Sequence, residues 1–399
     1  METIQKNKTL SKRNYLDEKE FLKELINSDS FIQNHLGIHK TQKIVAKQLE
    51  KLGFKIEWIE NLKENTPPLL FAKFNSNIHL PTITLIAHTD VVTQSSIHPF
   101  YEDSNFIYGA GVADDKGGIV VGVSAIQKYL EKNKFPLNIQ FVISPNEESG
   151  STGFHSLFKK IGQKSAFVFG LEPALQCGSI IQSRSGNRWY DIQAEGLAAH
   201  SGRLNIPQIN AAHHISKIIY ELIPINEIDP RMKLNIGSFE TSSSSYNTIC
   251  GSAQIKIDTR FKTIEQRNLI HKKIIHTLKN TLTDCKISKK KAKTSYRIVD
   301  DCPPMENKIS SNEFIHFYSQ SLKLIEGTLL SAKDSGGAAD INHFSNKNNI
   351  ALDGLGPIGL DIHTKKERIP IDSLKSRSIA LTLLFEYISE KYQETKNAS

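Results

Sequence analysis

The chain has 399 residues, more than one ordinary core accommodates, since single cores stop growing at about 250 to 300 residues, so two folding units are expected. With 39% hydrophobic and 23% charged residues and no long biased tract, the composition is globular and excludes a fibrous or wholly disordered chain. A formal charge of +8 invites nucleic acid, but no RNP-like, KH-like or C2H2-like pattern accompanies the lysines; Lys289-Lys290-Lys291 is read as solvated surface and no nucleic-acid partner is expected.

The first twenty residues mix both charges and hold no apolar stretch long enough for a signal peptide or a membrane span, which predicts a cytoplasmic protein without a membrane partner. Helical periodicity runs from residue 17 to Gly53, and FKIEWIE and LLFAKF follow as strands. TITLIAH (82–88), NIQFVIS (138–144) and AFVFGL (166–171) are short apolar runs of the kind buried on both faces of a sheet. Between the first two, a helix is predicted from Lys116 to Lys132, with Ile119, Val120, Val123, Ile126 and Leu130 along one side. This alternation predicts a layered α/β domain.

After Arg184 the pattern changes. NRWYDIQAEG, PQINAAHHISKIIYELI, LNIGSFE, SAQIKIDT, IEQRNLIHKKIIHTLKNTL and SYRIVD read as β-α-β-β-α-β, the order of a ferredoxin-like unit. A module over residues 185–300 is therefore expected as an insertion into a domain built from 1–184 and 301–399. The remainder reads as a helix (EFIHFYSQSLKLI), a Gly-rich turn (SGGAAD), a strand (IALDGLG) and a helix from Ser373 toward Lys391. Cys177, Cys250, Cys285 and Cys302 form no CxxC pair and are read as reduced thiols.

The chemistry-bearing residues gather in short loops after the apolar strands. His88 and Asp90 end one strand; alone, such a histidine is more often structural. Asp114 and Asp115 open a helix from a Gly-rich turn, where adjacent acids repel unless a cation compensates them; a helix N-cap with an extra acid explains them equally well. Glu147 and Glu148 repeat the pairing after the next strand, where a solvated acidic loop is the simpler reading. Glu172 follows the strand after that, and His363 sits in GLGPIGLDIHTKKERI, where a surface turn would also suit it. Their joint occurrence at successive strand ends points to a metal site. Carboxylates and imidazoles without sulfur suit zinc, cobalt or manganese, and an odd carboxylate suits two ions sharing it, the arrangement of two-metal hydrolysis.

AHTDVV, GAGVADDKGG, NEESGSTG, LEPA, AEGLAAHSG, SGGAAD and GLGPIGLDIHT stand in the order found in the zinc-dependent aminoacylase and carboxypeptidase family, which the chain strongly resembles over nearly its whole length. Glutamate carboxypeptidase, acetylornithine deacetylase and succinyl-diaminopimelate desuccinylase are members. The resemblance implies a layered α/β/α catalytic domain with an inserted ferredoxin-like lid and dimerisation domain. It also implies two divalent ions, zinc first with cobalt or manganese as alternatives. Asp114 would bridge them, His88 and Glu172 completing one site and Glu148 and His363 the other. Glu147 would be the general base, Asp90 would orient the His88 ring, and a cis peptide would precede Asp115.

His200 matches a histidine that stabilises the oxyanion, commonly in the partner subunit's site, so a homodimer is implied. Asn247 and Arg260 resemble residues that hold the substrate's free carboxylate, and Gly336 and Gly337 would admit substrate to backbone amides. The chain departs from the family's Asn-x-Ile-Pro turn, with Cys250-Gly251 after Ile249, and carries Arg203 where relatives often have a small residue. The expected activity is cleavage of an amide bond beside a free carboxylate in a small peptide or N-acyl amino acid. A glutamate carboxypeptidase-like exopeptidase is the leading form, and an N-acyl amino acid deacylase of the acetylornithine deacetylase or desuccinylase type is the alternative. A nucleic-acid-associated protein with structural calcium or magnesium sites is the reading from another class, and two histidines among the ligands argue against it.

Overall fold

The computed structural model describes residues 18–61, 66–75, 77, 79–132, 137–203 and 205–398. The first seventeen residues, read above for a leader, lie outside them. The chain divides into two compact units, one of Met1–Ser183, Asn307–Ser335 and Ala339–Ser399, the other of Arg184–Glu306 and Gly336–Ala338.

The larger unit is built on a six-stranded sheet in the order Lys55–Ile59, Leu69–Phe74, Asn138–Ser144, Thr82–His88, Phe167–Gly170 and Ile350–Leu352. The last four are mutually parallel, while the first two are antiparallel to their neighbours. Parallel pairing sets the C-terminal ends of four strands along one edge, where open α/β sheets bind ligands. Side chains alternate across the sheet. Ile83, Leu85, Ala87, Ile139, Phe141 and Ile143 join one apolar cluster with residues of the helices His35–Lys51, Lys116–Glu131, Asn312–Glu326 and Ile371–Ala398. Ile86, Val142 and Val168 are equally buried but point to the other face. There the helices His155–Lys164 and Ile341–Phe344 pack together, so the sheet is covered on both sides.

The helical periodicity predicted to run unbroken from residue 17 to Gly53 is in fact interrupted. A helix through residues 18–27 ends before a bend, and a second spans His35–Lys51. Asn34 fixes where the second begins, because its side chain accepts the N–H of Gly37 at 3.0 Å and caps that helix. Phe31, in the break, pairs with Val91 beyond the third strand.

In the smaller unit, the strands Gly186–Glu195, Lys233–Thr241, Ser252–Phe261 and Lys293–Cys302 form an antiparallel sheet whose spatial order is second, third, first, fourth. With the helices Ala211–Leu222 and Ile264–Asn280 this is the ferredoxin-like β-α-β-β-α-β arrangement. Tyr190, Ile192 and Ala194 alternate inward to a core of their own with Ile215, Ile218, Ile255, Ile257, Ile270 and Ile274. Gly336–Ala338 group with this unit, a return that the turn composition of SGGAAD does not signal. Among the described residues, no helix is long and apolar enough to cross a membrane.

Candidate metal centre

Two groups of potential ligands meet at the C-terminal edge of the parallel strands. His88, Asp114 and Glu172 form one, and Asp114, Glu148 and His363 the other, with one ligand atom from each residue within 4.8 Å of the rest of its group. Asp114 belongs to both. Its Oδ1 lies 2.9 Å from His88 Nε2 and its Oδ2 lies 3.0 Å from His363 Nε2. Glu172 Oε1 is 3.6 Å from His88 Nε2, and Glu148 Oε1 is 3.2 Å from His363 Nε2.

Local backbone geometry explains how these side chains converge. The Asp114–Asp115 peptide is cis, and Asp115 immediately precedes the helix Lys116–Glu131 but makes no capping hydrogen bond through its side chain. The capping explanation of the paired acids therefore fails for Asp115. Gly118 allows the helix to start against the sheet, since a Cβ there would lie 1.9 Å from Asp115 Oδ1 and 2.1 Å from the Leu171 carbonyl. Glu147 and Glu148 share a single 3-10 turn closed by the left-handed Gly150. His363 takes φ of +63°, a backbone that costs an L-residue about 1–2 kcal/mol and is held here in the loop that delivers its ring to Asp114.

Asp90 does more than the resemblance implies. His88 Nδ1 lies 3.0 Å from the Asp90 backbone oxygen and 3.4 Å from its carboxylate. The same carboxylate accepts the N–H groups of Glu147 and Glu148, each at 3.0 Å. Thus one buried acid fixes both the ring of one candidate ligand and the turn carrying the next. Glu367, which the sequence reading passed over, plays the matching part for Asp114. Its carboxyl accepts the N–H groups of Gly111, Ala113 and Asp114 at 3.1, 2.8 and 3.0 Å. The only hint in the sequence is its place four residues beyond His363.

The electrostatics favour a cation. Burial works against charge on the His88 ring, yet hydrogen bonds with Asp114 and Asp90 hold its pKa well above the imidazole range. Hydrogen bonds with Asp114 and Glu148 push His363 up to about 11. Burial opposes ionisation of Asp114, but the two rings keep its carboxyl below the usual carboxylate range. Glu147, a member of neither group, precedes Glu148 in the chain and lines a small cavity with His88 and Glu172; the residue as a whole is half-buried, but its carboxyl is enclosed, and that burial with the charge of Glu172 raises its pKa well above the carboxylate range.

A profile of peptidase family M20/M25/M40 matches residues 84–386. The chain belongs to that family. It is accordingly a hydrolytic enzyme of the M20/M25/M40 group. Succinyl-diaminopimelate desuccinylase of Orientia tsutsugamushi is 27% identical over 358 residues, covering 84% of this chain and 87% of the relative. In fold the chain is similar to aminopeptidase PepT of Bacillus cereus (TM-score 0.76, 21% identity, 93% of this chain and 98% of that one). It is also similar in fold to an M20 family metallo-carboxypeptidase of Sulfolobus solfataricus (TM-score 0.72, 19% identity, 92% and 99%). The donor set of the M20/M25/M40 chain fits divalent metal, because nitrogen and oxygen ligands without sulfur surround a carboxylate whose two oxygens each face a different imidazole.

The remaining residues singled out from the sequence lie in the smaller unit. His200 and Asn247 come together, with Asn247 Nδ2 3.4 Å from His200 Nε2, across the paired segments Ala199–His200 and Thr248–Ile249. Arg260 does not join them. It pairs with Asn187 near one end of the central strand, whereas the chain leaves the Glu195 end to reach His200. Its Nε donates to Asp258 Oδ2 at 2.9 Å. Arg203 is exposed, its N–H donating to the His200 carbonyl at 3.0 Å. The Gly337 carbonyl accepts from Arg184 at 3.3 Å, and nothing lies within 4 Å of where a Gly336 side chain would begin, so packing does not require glycine there.

Proposed function

We propose that the protein is a two-metal amidase that removes the acyl group from an N-acyl amino acid. The observation that carries the reaction type is Glu147, a carboxyl of raised proton affinity that borders both ligand groups and is not needed by either. Asp114 is the shared ligand, with His88 and Glu172 on one side and Glu148 and His363 on the other. Zinc is the preferred ion, with cobalt or manganese as substitutes. Divalent ions, when bound there, supply Lewis acidity that acidifies water and polarises the amide carbonyl. Glu147 takes the proton from the attacking water and returns it to the leaving amine. Asp90 keeps Glu147 in place through the turn it anchors.

The similarity to a desuccinylase supports deacylation over the glutamate carboxypeptidase-type exopeptidase favoured by sequence motifs alone, and the free carboxylate of the amino acid falls to Arg260 and Asn247. Gly336 and Gly337 offer backbone amides, and His200 donates to the oxygen that gains charge. The separation of these groups supports a homodimer. Ser252 to Arg260 spans about 26 Å of extended chain, so one smaller unit does not bring His200 and Arg260 to one small substrate, whereas two copies supply one each. The four free thiols suit a reducing, cytoplasmic setting.

The test is amine release from matched N-succinyl and N-acetyl amino acids and from dipeptides, using zinc- or cobalt-loaded protein. Glu147→Gln should lose about 10²–10⁴ of the activity while retaining its metal. Turnover of dipeptides alone would restore the exopeptidase reading, and unchanged activity in Glu147→Gln would remove the general base assigned here.

A further inference from the structure

In the strand Gly186–Glu195, Tyr190, Ile192 and Ala194 point into the core that the two helices of the smaller unit share, so Trp189 points the opposite way. The other outward residues of this strand, Asn187, Asp191, Gln193 and Glu195, are polar, as are those of the neighbouring strand Ser252–Phe261. Trp189 is the one apolar side chain among them and is 40% exposed. A single exposed apolar residue is ordinary. What sets Trp189 apart is how it is held.

Its Nε1 donates to Asp258 Oδ1 at 2.9 Å, and Arg260 Nε donates to Oδ2 of the same carboxylate at 2.9 Å. Trp189 stands opposite Asp258 across the two strands, and Arg260 follows two residues along on the same face. One carboxylate therefore locks an indole and a guanidinium side by side. Because Arg260 is held through Nε, its two Nη groups have no hydrogen-bond partner among the described residues. That outer end of a guanidinium matches a carboxylate with two parallel hydrogen bonds. Other acids beside the ring are already engaged, Asp191 accepting from Arg297 at 2.6 Å and Asp300 from Asn187. The indole is thus the surface left to meet a neighbouring group.

We propose that Trp189 sets the side-chain preference of the enzyme: the substrate's α-carboxylate binds the Nη end of Arg260, and an aromatic side chain on the same amino acid packs against the indole. This rests on the assignment of Arg260 as the holder of the substrate's carboxylate. In an α-amino acid the side chain branches from the carbon that carries the carboxylate, so a molecule gripped by Arg260 brings its side chain to the residue that shares Asp258. Aromatic rings in offset or edge contact attract beyond the burial of their area, which favours phenylalanine, tyrosine or tryptophan over small or charged residues.

Metal-loaded protein should hydrolyse the phenylalanine member of an N-acetyl or N-succinyl series with kcat/KM at least about 10-fold above the alanine and lysine members. Trp189→Ala should bring the three within about threefold, through a higher KM for the phenylalanine substrate, and Trp189→Phe should restore most of the preference. A purely structural role would lower kcat for all three alike. Trp58 and Trp189 are the only tryptophans, so in Trp58→Phe the indole emission reports Trp189 alone. Free phenylalanine should shift that emission saturably, whereas alanine, which lacks the ring, and phenethylamine, which lacks the carboxylate, should not. Equal kcat/KM for the three substrates, a preference that survives Trp189→Ala, or emission indifferent to phenylalanine would each overturn the proposal. If no amide is cleaved while phenylalanine still shifts the emission, the amidase reading fails and the aromatic subsite stands.

Discussion

At Asp114 a single carboxylate meets two imidazoles, one at each oxygen. Replacing it by Asn leaves one poor ligand atom and removes the negative charge that both groups depend on. Asp114→Asn should therefore lose bound divalent metal on dialysis, read by elemental analysis, whereas Glu147→Gln should keep it; equal retention in the two variants would exclude Asp114 as the shared ligand. The residues of the two candidate groups were legible in the sequence because each follows an apolar strand in a Gly-containing loop, and such ends assemble along one edge of a parallel sheet. The residues that hold the ligands were harder to see. Glu367 acts through backbone amides of the loop around Asp114, and such contacts leave no spacing in the sequence. Arg260 illustrates the reverse difficulty, since proximity to Asn247 along the chain hides the length of strand between them.

At the level of elements, short apolar runs placed the strands Thr82–His88, Asn138–Ser144 and Phe167–Gly170, because burial on both faces leaves no polar alternation to confuse them, whereas the more open strand Lys55–Ile59 was readable from its alternation. The interruption at residues 28–34 was passed over although Ser28-Asp29-Ser30 breaks the apolar periodicity, and Asn34 caps the start of the second helix. In the smaller unit, His214 on the helix Ala211–Leu222 ties that helix to the loop after Asn280 and to the fourth strand. Its ring nitrogens lie 3.0 Å from Thr283 Oγ1 and 2.8 Å from Thr294 Oγ1. Burial, with Lys217 nearby, pushes its pKa below the ordinary imidazole value. The unfolded chain then binds more protons than the folded one in mild acid. Stability from this ring is complete above about pH 6.5 and is lost as the pH falls from there through the folded pKa. Stability against urea should thus fall from about pH 7 to pH 5, and His214→Phe should make that dependence shallower by at most about 1.4 kcal/mol per pH unit. Parallel pH curves for the two proteins would show that His214 binds protons equally in both states.

For the whole molecule, the separation of His200 from Arg260 within the smaller unit makes a prediction about assembly. Homodimers of His200→Ala and of Arg260→Ala should each be nearly inactive. Mixed under conditions that exchange subunits, they should recover about a quarter of wild-type activity, because half the dimers are mixed and one of their two sites is intact. No recovery, with exchange verified by mass spectrometry, would mean that both residues serve the site of their own chain or neither serves one. The inserted order β-α-β-β-α-β was readable from periodicity, but the grouping of Gly336–Ala338 with it was not, because three small residues carry no pattern.

The ligands of the two groups are also separated in time of synthesis. His88, Asp114 and Glu172 have all left the ribosome before the smaller unit is made, whereas His363 lies 249 residues beyond Asp114. At about 5–20 residues per second that interval is on the order of 10 to 50 s. A nascent chain therefore carries the first ligand group without His363 from Glu172 onward for 191 of its 399 residues, nearly half of its synthesis, and a chain released early never completes the second.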